Sequence, residues 1–475
     1  MVFSSNVFLF LFLPAFLTIY YLTPNRAKNL IILLASYAFY AWWRVDFLLL
    51  FVAVTLWNYL IGILIFRNLD SEKAKTWLIV GVVGNLSTLG YFKYANFGVD
   101  SFNYVVSTLG FEPFSFASVI LPIGISFYIF QAISYIIDVY RKDTPPTTHV
   151  IDFAAFIALF PQLIAGPVLR YKDLANQFTD RIHSFETFSK GAIRFMQGFI
   201  SKVFIADSIA PIVDACYATA NPTTGDAWLG AFAYTAQLFF DFAGYSAMAI
   251  GLGLMMGFRF IENFNNPYIS QSITEFWRRW HISLSSWLRD YLYISMGGNR
   301  HGTVKTYRNL FMTMFLGGLW HGANWTFVIW GCWHGIILCI ERALGVKTDI
   351  THFNIMRWGL TFLLVMLGWV IFRAPDVATA FGFYNAMFNY AMFNISSWSL
   401  SDRIAESITS MQVTLLVVSY LVVFVMGFRA RIERWAQKNI RFIVNFSQAL
   451  TIPLFVLSML KLSAQSFSPF LYFQF

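Results

Sequence analysis

Residues 316–335 read Leu-Gly-Gly-Leu-Trp-His-Gly-Ala-Asn-Trp-Thr-Phe-Val-Ile-Trp-Gly-Cys-Trp-His-Gly, an apolar stretch that contains two histidines, His321 and His334. Ionisable side chains are costly at membrane depth, and where they occur they are usually functional. On one unbroken helix, a spacing of thirteen residues would set the two imidazoles roughly 140° apart, on different faces. The glycine-rich run that ends at Asn324 favours a break between them. We therefore predict two helices here, with His321 at a helix end that faces an interior space.

The composition of the whole chain is that of an integral membrane protein. Of its 475 residues, 58% are hydrophobic and only 12% are charged, whereas soluble globular proteins usually carry about 25% charged residues. The formal net charge is +9, but the basic residues lie in short loops between apolar runs, where the positive-inside rule places them. This placement argues against nucleic-acid binding. The three cysteines form no Cys-x-x-Cys pair, so they indicate neither a disulfide framework nor a zinc site.

Apolar runs long enough to be membrane segments recur along the chain. A membrane helix needs about 20 largely apolar residues, and shorter runs can tilt, extend into polar flanks or be re-entrant. The candidates are 6–22, 30–43, 47–66, 77–92, 118–138, 151–169, 228–256, 309–320, 325–341, 356–373, 410–428 and 447–462. We predict an all-α polytopic membrane protein with about 11 to 13 membrane segments and a single domain over residues 1–475.

The lysines and arginines predict an orientation in the membrane. The loops 23–29, 67–76 and 139–149 hold two, three and two of them, whereas the alternating segments 44–46 and 93–117 hold one each. Because basic loops stay in the cytoplasm, the first three are expected there, and segment 93–117 is not. The basic loop 429–441 is also expected to be cytoplasmic.

Two stretches are too polar to face lipid. Residues 170–202 mix charge with apolar periodicity, as an interfacial helix does. Residues 274–293 are basic, aromatic and amphipathic, and we expect them to be helical and to lie in the interface or line a polar cavity, without spanning lipid. Its Arg278 and Arg279 could hold a phosphorylated or carboxylated donor, or they could anchor lipid headgroups.

The intramembrane histidines allow two interpretations. A histidine can be packed with both ring nitrogens hydrogen-bonded and have no role in chemistry. Alternatively, a neutral imidazole can take a proton from a hydroxyl that attacks an acyl group and then return it to the leaving group. Acyl transfer from a thioester needs no metal, and the sequence contains no His-Glu-x-x-His motif and no Gly-x-Ser-x-Gly elbow. No metal site is therefore expected.

Several further motifs carry a resemblance over nearly the whole chain. They are Phe3-Ser-Ser-Asn, Ala41-Trp-Trp-Arg-Val-Asp46, Leu89-Gly-Tyr-Phe-Lys-Tyr-Ala-Asn-Phe97, Leu121-Pro-Ile-Gly-Ile-Ser-Phe127, Ile164-Ala-Gly-Pro-Val168, Phe276-Trp-Arg-Arg-Trp-His-Ile-Ser283, Leu316-Gly-Gly-Leu-Trp-His-Gly322 and Gly368-Trp-Val-Ile-Phe-Arg373. With them the chain resembles the membrane-bound O-acyltransferase (MBOAT) family, and within it the branch that acetylates alginate and other exopolysaccharides.

The resemblance implies a fold, a reaction and a set of site residues. The fold is a helical ring around a central tunnel, with re-entrant and interfacial helices. His321 matches the catalytic histidine of the branch, and His334, a second histidine of the same block, is expected to assist it. The same motifs mark candidates for lining the tunnel or binding the donor, namely Trp320, Asn324, Arg278, Arg279 and His281.

The reaction that the resemblance implies is a relay of acetyl groups across the bacterial inner membrane to an exported polysaccharide, most simply alginate. No bound cofactor is expected, and the donor would be acetyl-CoA or another acyl thioester. The implied partners are periplasmic acetyltransferase proteins and membrane lipids, with no nucleic acid. One departure from the branch is visible, because Ala247 follows Gly244-Tyr-Ser246 where an acidic residue is expected; the neighbouring Asp241 remains.

Three alternatives stay open from the sequence. The same chemistry could serve cellulose, peptidoglycan or another glycan. The chain could be a transporter or channel, although the inverted repeats typical of that class are not visible. It could also be a scaffold that recruits periplasmic enzymes, in which case His321 would be replaceable.

Overall fold

The structure, a computed structural model, describes residues 1–163, 166–347, 353–435 and 440–464, and these ranges contain helices and no strand. The helices pack into two compact units. The first comprises residues 1–192 and 249–261, and the second comprises residues 193–248 and 262–475. The units alternate along the chain, and the prediction of one domain over residues 1–475 stays a prediction.

The first unit begins with a π-helical turn, Phe8–Phe12, that continues into the first α-helix. Its helices are α1 Leu13–Leu22, α2 Lys28–Ala41, α3 Asp46–Arg67, α4 Lys73–Thr108, α5 Ile125–Tyr140, α6 Val150–Ala158, α7 Phe160–Leu163, α8 Tyr171–Thr179 and the first half of α9 Phe185–Phe199. Polar side chains fix the packing of α3 on α4, where Asn58 and Asn85 exchange two amide hydrogen bonds of 2.9 and 2.7 Å. Between apolar helices such bonds set the register of the pair.

The second unit holds most of the remaining helices. They are α10 Asp207–Tyr217, α11 Thr224–Met255, α12 Ile273–Arg279, α13 Ile282–Trp287, α14 Thr303–His321, α15 Trp325–Ala343, α16 Ile355–Arg373, α17 Val377–Phe388, α18 Asp402–Ser407, α19 Ser410–Trp435 and α20 Ile440–Ala464. A π-helical segment, Ile200–Ala206, joins α9 to α10. Two of the three boundaries between the units fall inside α9 and α11, and the third falls between residues 261 and 262, after α11.

Four helical segments are long and apolar enough to cross a membrane: Asp46–Arg67, Thr224–Met255, Ile355–Arg373 and Ser410–Phe428. Shorter apolar helices occupy Phe8–Leu22, Ile125–Tyr140 and Ala449–Ala464. The all-α polytopic membrane fold is therefore confirmed. The total of 11 to 13 membrane segments, the central tunnel and the orientation stay predictions.

Several boundaries differ from the sequence prediction because helices continue beyond their apolar parts. Helix α4 runs to Thr108, so much of the predicted loop 93–117 is helical. The predicted loop 429–441 is also largely helix, at the ends of α19 and α20, apart from residues 436–439, which lie outside the described residues. The stretch 170–202 is not one helix, because residues 180–184 separate α8 from α9.

Candidate active site

The site is built on a hairpin of α14 and α15 in the second unit. Helix α14 ends at His321, and α15 begins at Trp325 after a three-residue connection. The Asn324 side chain caps α15 by accepting a hydrogen bond from the backbone N–H of Thr326 at 3.1 Å, which satisfies an amide that the first helical turn leaves free. The predicted break between the two histidines, with His321 at a helix end, is confirmed.

Glycines let the two helices of the hairpin approach closely. A Cβ atom at Gly331 would lie 2.7 Å from the carbonyl oxygen of Met314 and 3.2 Å from the Cα of Gly318. A Cβ at Gly322 would run into the ring of Phe327. Such backbone-to-backbone contact is typical of small-residue packing between membrane helices, and it fixes the position of His321 relative to α15.

Aromatic rings surround the imidazole of His321. The ring centroid of Trp330 lies 5.0 Å from that of His321 with an interplanar angle of 88°, and that of Phe372 lies 5.3 Å away at 77°. The preceding Trp320 packs edge-on at 5.1 Å. His321 is only 6% exposed. Since rings in edge-to-face contact hold one another in orientation, the imidazole is fixed with little access to bulk water.

A cavity of about 250 Å³ reaches His321 from within the unit. Its lining is mainly apolar and aromatic, and Gly317 supplies bare backbone beside the imidazole. The lining residues are Trp277, Leu284, Ser285, Leu288, Arg289, Tyr293, Leu310, Thr313, Met314, Gly317, His321 and Trp330. A cavity of this kind fits a short apolar acyl group whose carbonyl lies near the histidine.

A wider cavity of about 940 Å³ adjoins the first, and we call it the vestibule. The two share Trp277, Ser285, Arg289 and Leu310 in their linings. Four basic side chains line the vestibule: Arg278, Arg289, Arg342 and Lys347. Among its described lining residues the one carboxylate is Glu341, which accepts hydrogen bonds from the backbone N–H groups of Ile273 and Thr274. The vestibule therefore has an excess of positive charge.

The stretch 274–293 borders both cavities, but it is broken rather than one helix. Helix α12 ends at Arg279, His281 adopts the left-handed conformation with φ 45°, and α13 begins at Ile282 before a π-helical segment, Leu288–Tyr293. The stretch is helical on both sides of the break, as predicted, but the break itself was not predicted, since the pattern of apolar residues continues through it. The expectation that the stretch lines a cavity is confirmed by Trp277, Arg278 and Arg289.

His281 is fully buried, and hydrogen bonds fix its ring. Its Nδ1 lies 3.1 Å from Oδ1 of Asn263, which also accepts from the hydroxyl of Ser283 at 2.8 Å. Because that oxygen is an acceptor, Nδ1 of His281 carries the proton and Nε2 keeps its lone pair. A non-glycine residue with positive φ is uncommon, and such strain concentrates at functional sites. The ring packs against Trp320 with centroids 6.1 Å apart.

His334 is also fully buried, in the middle of α15. The indole N–H of Trp277 donates to its Nδ1 across 3.4 Å, so the neutral ring carries its proton on Nε2. The ring of Trp330 lies between the two histidines, with centroids 4.9 Å from His334 and 5.0 Å from His321. His334 lines neither cavity. It can therefore orient Trp277 and Trp330, which do line them, but it does not reach a substrate in the cavities.

Comparison with known proteins places this hairpin within a family. Residues 141–378, which include both cavities and all three buried histidines, match the model of the membrane-bound O-acyltransferase family. The chain belongs to the membrane-bound O-acyltransferase family. It is accordingly an O-acyltransferase integral to a membrane.

Three relatives of this acyltransferase show the range of the family. The probable alginate O-acetylase AlgI of Pseudomonas putida is 61% identical over the full length of both chains. The peptidoglycan O-acetyltransferase of Helicobacter pylori is 38% identical over 80% of this chain and 78% of its own length. The teichoic acid D-alanyltransferase of Bacillus subtilis is 31% identical over 53% of this chain and 68% of its own length.

The remaining predicted site residues of the acyltransferase lie beside the cavities rather than in them. Trp320 packs between His281 and His321. Asn324 caps α15 and donates to the carbonyl of Pro375 at 2.9 Å. Arg279 pairs with Glu275 at 2.9 Å. Of the five candidates for tunnel lining or donor binding, only Arg278 lines a described cavity.

The sequence analysis missed a buried charge cluster in the second unit. Nζ of Lys202 lies 2.5 Å from Oδ1 of Asp207 and 2.8 Å from Oδ1 of Asp241, and Lys202 is 1% exposed. The ammonium group of Lys461 donates to the carbonyl of Val203 at 2.9 Å and to the hydroxyl of Ser208. The only signal in the sequence was Asp241 inside an apolar helix. Its partner Lys202 lies in a π-helical segment, a distortion that often accompanies functional sites.

The departure at Ala247 has a structural explanation. Ala247 lies in α11, where the helix crosses α9, and a Cβ at Gly198 would lie 3.0 Å from the Cβ of Ala247. The crossing brings Gly198 against the backbone of Gly244. A small residue at position 247 suits this close crossing, and the carboxylate of Asp241, earlier in the same helix, remains.

Proposed function

We propose that this acyltransferase takes acetyl groups from an acyl thioester, such as acetyl-CoA, on the cytoplasmic side of a bacterial inner membrane. It passes them outward for the O-acetylation of alginate. The observation that carries the proposal is the apolar cavity that ends at His321 and adjoins the basic vestibule. The full-length similarity to the probable alginate O-acetylases supports the choice of acetyl and alginate.

The two cavities match the two ends of such a donor. A thioester carrier with phosphate groups would place them among Arg278, Arg342 and Lys347, since guanidinium and ammonium groups bind phosphate oxygens through charge-assisted hydrogen bonds. The acetyl thioester would extend past Trp277 toward His321, into the apolar part of the site.

The chemistry follows from a buried imidazole beside an acyl group. A ring nitrogen of His321 takes the proton of the acceptor hydroxyl, whose oxygen attacks the thioester carbonyl. The C–S bond breaks, an ester forms, and the departing sulfur receives the proton from the imidazolium. The balance is one thioester and one alcohol giving one ester and one thiol, without a metal or redox partner.

The position of His321 supports an outward transfer. Helix α15 has 19 residues and is therefore about 28 Å long, close to the thickness of the hydrocarbon core of a membrane. The vestibule lies at its C-terminal end, beside Glu341 and Arg342. His321 lies at the other end, next to the exposed Trp325. Donor and acceptor could thus meet the same histidine from opposite ends of the hairpin.

The test is acetylation of alginate in cells that carry His321→Ala as the only copy. Because a lost general base costs about 10²–10⁴-fold in rate, we expect protein in the membrane at the normal level and no detectable acetylation. The matched control is His149→Ala, at an exposed histidine just before α6, which should acetylate normally. Full acetylation by well-expressed His321→Ala would refute the assignment and favour the scaffold.

The 38% identity with the peptidoglycan O-acetyltransferase supports a second candidate acceptor. The two candidates are distinguished by measuring acetyl groups on alginate and on peptidoglycan from one strain that lacks this protein. Only the polymer that the protein serves should lose its acetyl groups. Periplasmic acetyltransferase proteins are the partners we propose for the final transfer. Their deletion should abolish polymer acetylation while leaving thioester consumption by the membrane protein possible.

A further inference from the structure

A basic cluster in the first unit lies outside everything used above. Lys28 is the first residue of α2, yet it is only 6% exposed. Its ammonium group lies 4.9 Å from the ring centroid of Tyr20 and 5.5 Å from that of Tyr21. Aromatic faces attract a cation but accept none of its N–H groups in ordinary hydrogen bonds. Within the part of the chain that the structure describes, no carboxylate pairs with Lys28.

A second cation lies beside the first. One terminal nitrogen of Arg181, Nη2, donates to Oδ1 of Asn29 at 2.6 Å. The other, Nη1, is buried and has no hydrogen-bond partner among the described residues. A buried guanidinium N–H without an acceptor is unfavourable, because it has lost its hydrogen bonds to water and gained none from the protein. The carboxylate of Asp152, whose charge acts on Arg181 through space, accepts a hydrogen bond from the amide of Asn29 at 2.6 Å and forms no ion pair with the guanidinium among the described residues.

The surrounding groups confirm that the cluster is short of negative charge. His183 lies in the loop between α8 and α9, with its Nε2 2.9 Å from the hydroxyl of Tyr20. Burial and the nearby charges of Lys28 and Arg181 lower the pKa of His183. The first turn of α2 adds partial positive charge, because Ala27 at its N-cap offers no side-chain acceptor.

Exposed apolar side chains flank the same cluster. Ile182, between Arg181 and His183, is 71% exposed; Leu22, next to Tyr21, is 81% exposed; and Phe185 is 85% exposed. Anionic lipids are recognised where basic groups lie beside apolar surface at the cytoplasmic face of a membrane. A free inorganic anion would need the cations but not this apolar surface.

We propose that Lys28 and Arg181 bind the phosphate of an anionic phospholipid, whose acyl chains lie along Leu22, Ile182 and Phe185. The phosphate oxygens accept from the Lys28 ammonium group and, once the guanidinium group turns toward the surface, from Nη1 of Arg181. The lipid ties the α1–α2 connection to the loop before α9 and stabilises the folded first unit. The site is separate from the acyl-transfer chemistry and needs no assumption about the donor or the acceptor.

The experiment uses the purified full chain in nanodiscs of phosphatidylcholine, with or without phosphatidylglycerol. Phosphatidylglycerol should raise the thermal unfolding midpoint, and native mass spectrometry should show it retained on the protein. Lys28→Gln and Arg181→Gln should each weaken retention by about tenfold or more, since each removes charge-assisted hydrogen bonds. The matched control, Lys75→Gln at an exposed lysine of α4, should behave as the wild type.

Two outcomes would overturn the proposal. One is an equal response of Arg181→Gln and the wild type to phosphatidylglycerol. The other is stabilisation by inorganic phosphate in pure phosphatidylcholine discs to the same extent, which would make the site one for a free anion. If Arg181→Gln does not yield folded protein, the same measurements are made on Lys28→Met, because the methionine side chain can keep the contact with the tyrosine rings.

Discussion

Replacing Gly331 with alanine tests whether the close hairpin packing positions His321, the base of the proposed reaction. Gly331 follows Trp330, the ring that packs edge-on against His321. An added Cβ would lie 2.7 Å from the carbonyl oxygen of Met314, whereas ordinary van der Waals contact begins at 3.4 Å. The difference is about 0.7 Å, and because the neighbour is backbone it cannot rotate away. Helices α14 and α15 must therefore separate by roughly that amount.

The expected loss of activity follows from this displacement. Since a 1 Å misplacement near reacting groups can cost about 10²-fold, a shift of about 0.7 Å should lower acetyl transfer by at least tenfold. Overpacking should also destabilise the protein by about 1–3 kcal/mol. The assay is single-turnover loss of thioester by purified protein in nanodiscs, with the unfolding midpoint measured on the same preparation.

Two further glycines make the experiment a graded series. A Cβ at Gly335 would lie 3.0 Å from a ring atom of Phe311, which can turn, so Gly335→Ala should have a smaller effect. A Cβ at Gly359, in α16, meets nothing within 4 Å, so Gly359→Ala should be neutral or slightly stabilising. Equal activity of Gly331→Ala and Gly359→Ala would refute the view that this contact positions His321.

The remaining predictions concern the hydrogen bond between Trp277 and His334 and the buried ion pair between Lys202 and Asp241. Trp277→Phe and His334→Gln should each lower the turnover number more than they change the Michaelis constant of the donor. The double variant should lose no more activity than either single variant, because both substitutions remove the same hydrogen bond. Additive losses would show that the two residues act separately. Asp241→Asn should destabilise the protein by about 3 kcal/mol, the lower end for breaking a buried ion pair, because Asp207 still pairs with Lys202. An unfolding midpoint equal to that of the exposed control Glu186→Gln would contradict this.

The local geometry of the hairpin could be predicted from the sequence because it depends on glycine and asparagine, two residue types whose structural roles are few. Glycines allow close helix approach, and asparagine is a preferred helix cap. Their occurrence between two intramembrane histidines predicts the end of α14 at His321 and the start of α15 after Asn324. Apolar runs likewise predicted the positions of the long helices, though not their polar extensions.

The rest of the site depends on contacts between residues far apart in the chain, which periodicity does not reveal. The break at His281 requires Asn263, eighteen residues earlier, to hold both the imidazole and Ser283. The apolar pattern of 274–293 continues through that break and therefore predicted helical structure without indicating the break. The Lys202 cluster was missed for the same reason, because its two carboxylates come from Asp207 and from Asp241 on another helix.

The division of roles among the three buried histidines follows from what each ring can reach. His334 is enclosed by Trp277 and Trp330, and its Nε2 faces Gly368, where an added Cβ would lie only 3.1 Å away. His281 is bound to Asn263, packs against Trp320 and lines neither cavity. His321 alone among the three lines a cavity that adjoins the basic vestibule. A general base must lie within hydrogen-bond reach of the proton that it removes, and of the three rings only His321 is placed to meet a substrate in that cavity, which is why the proposed function assigns the proton transfer to it.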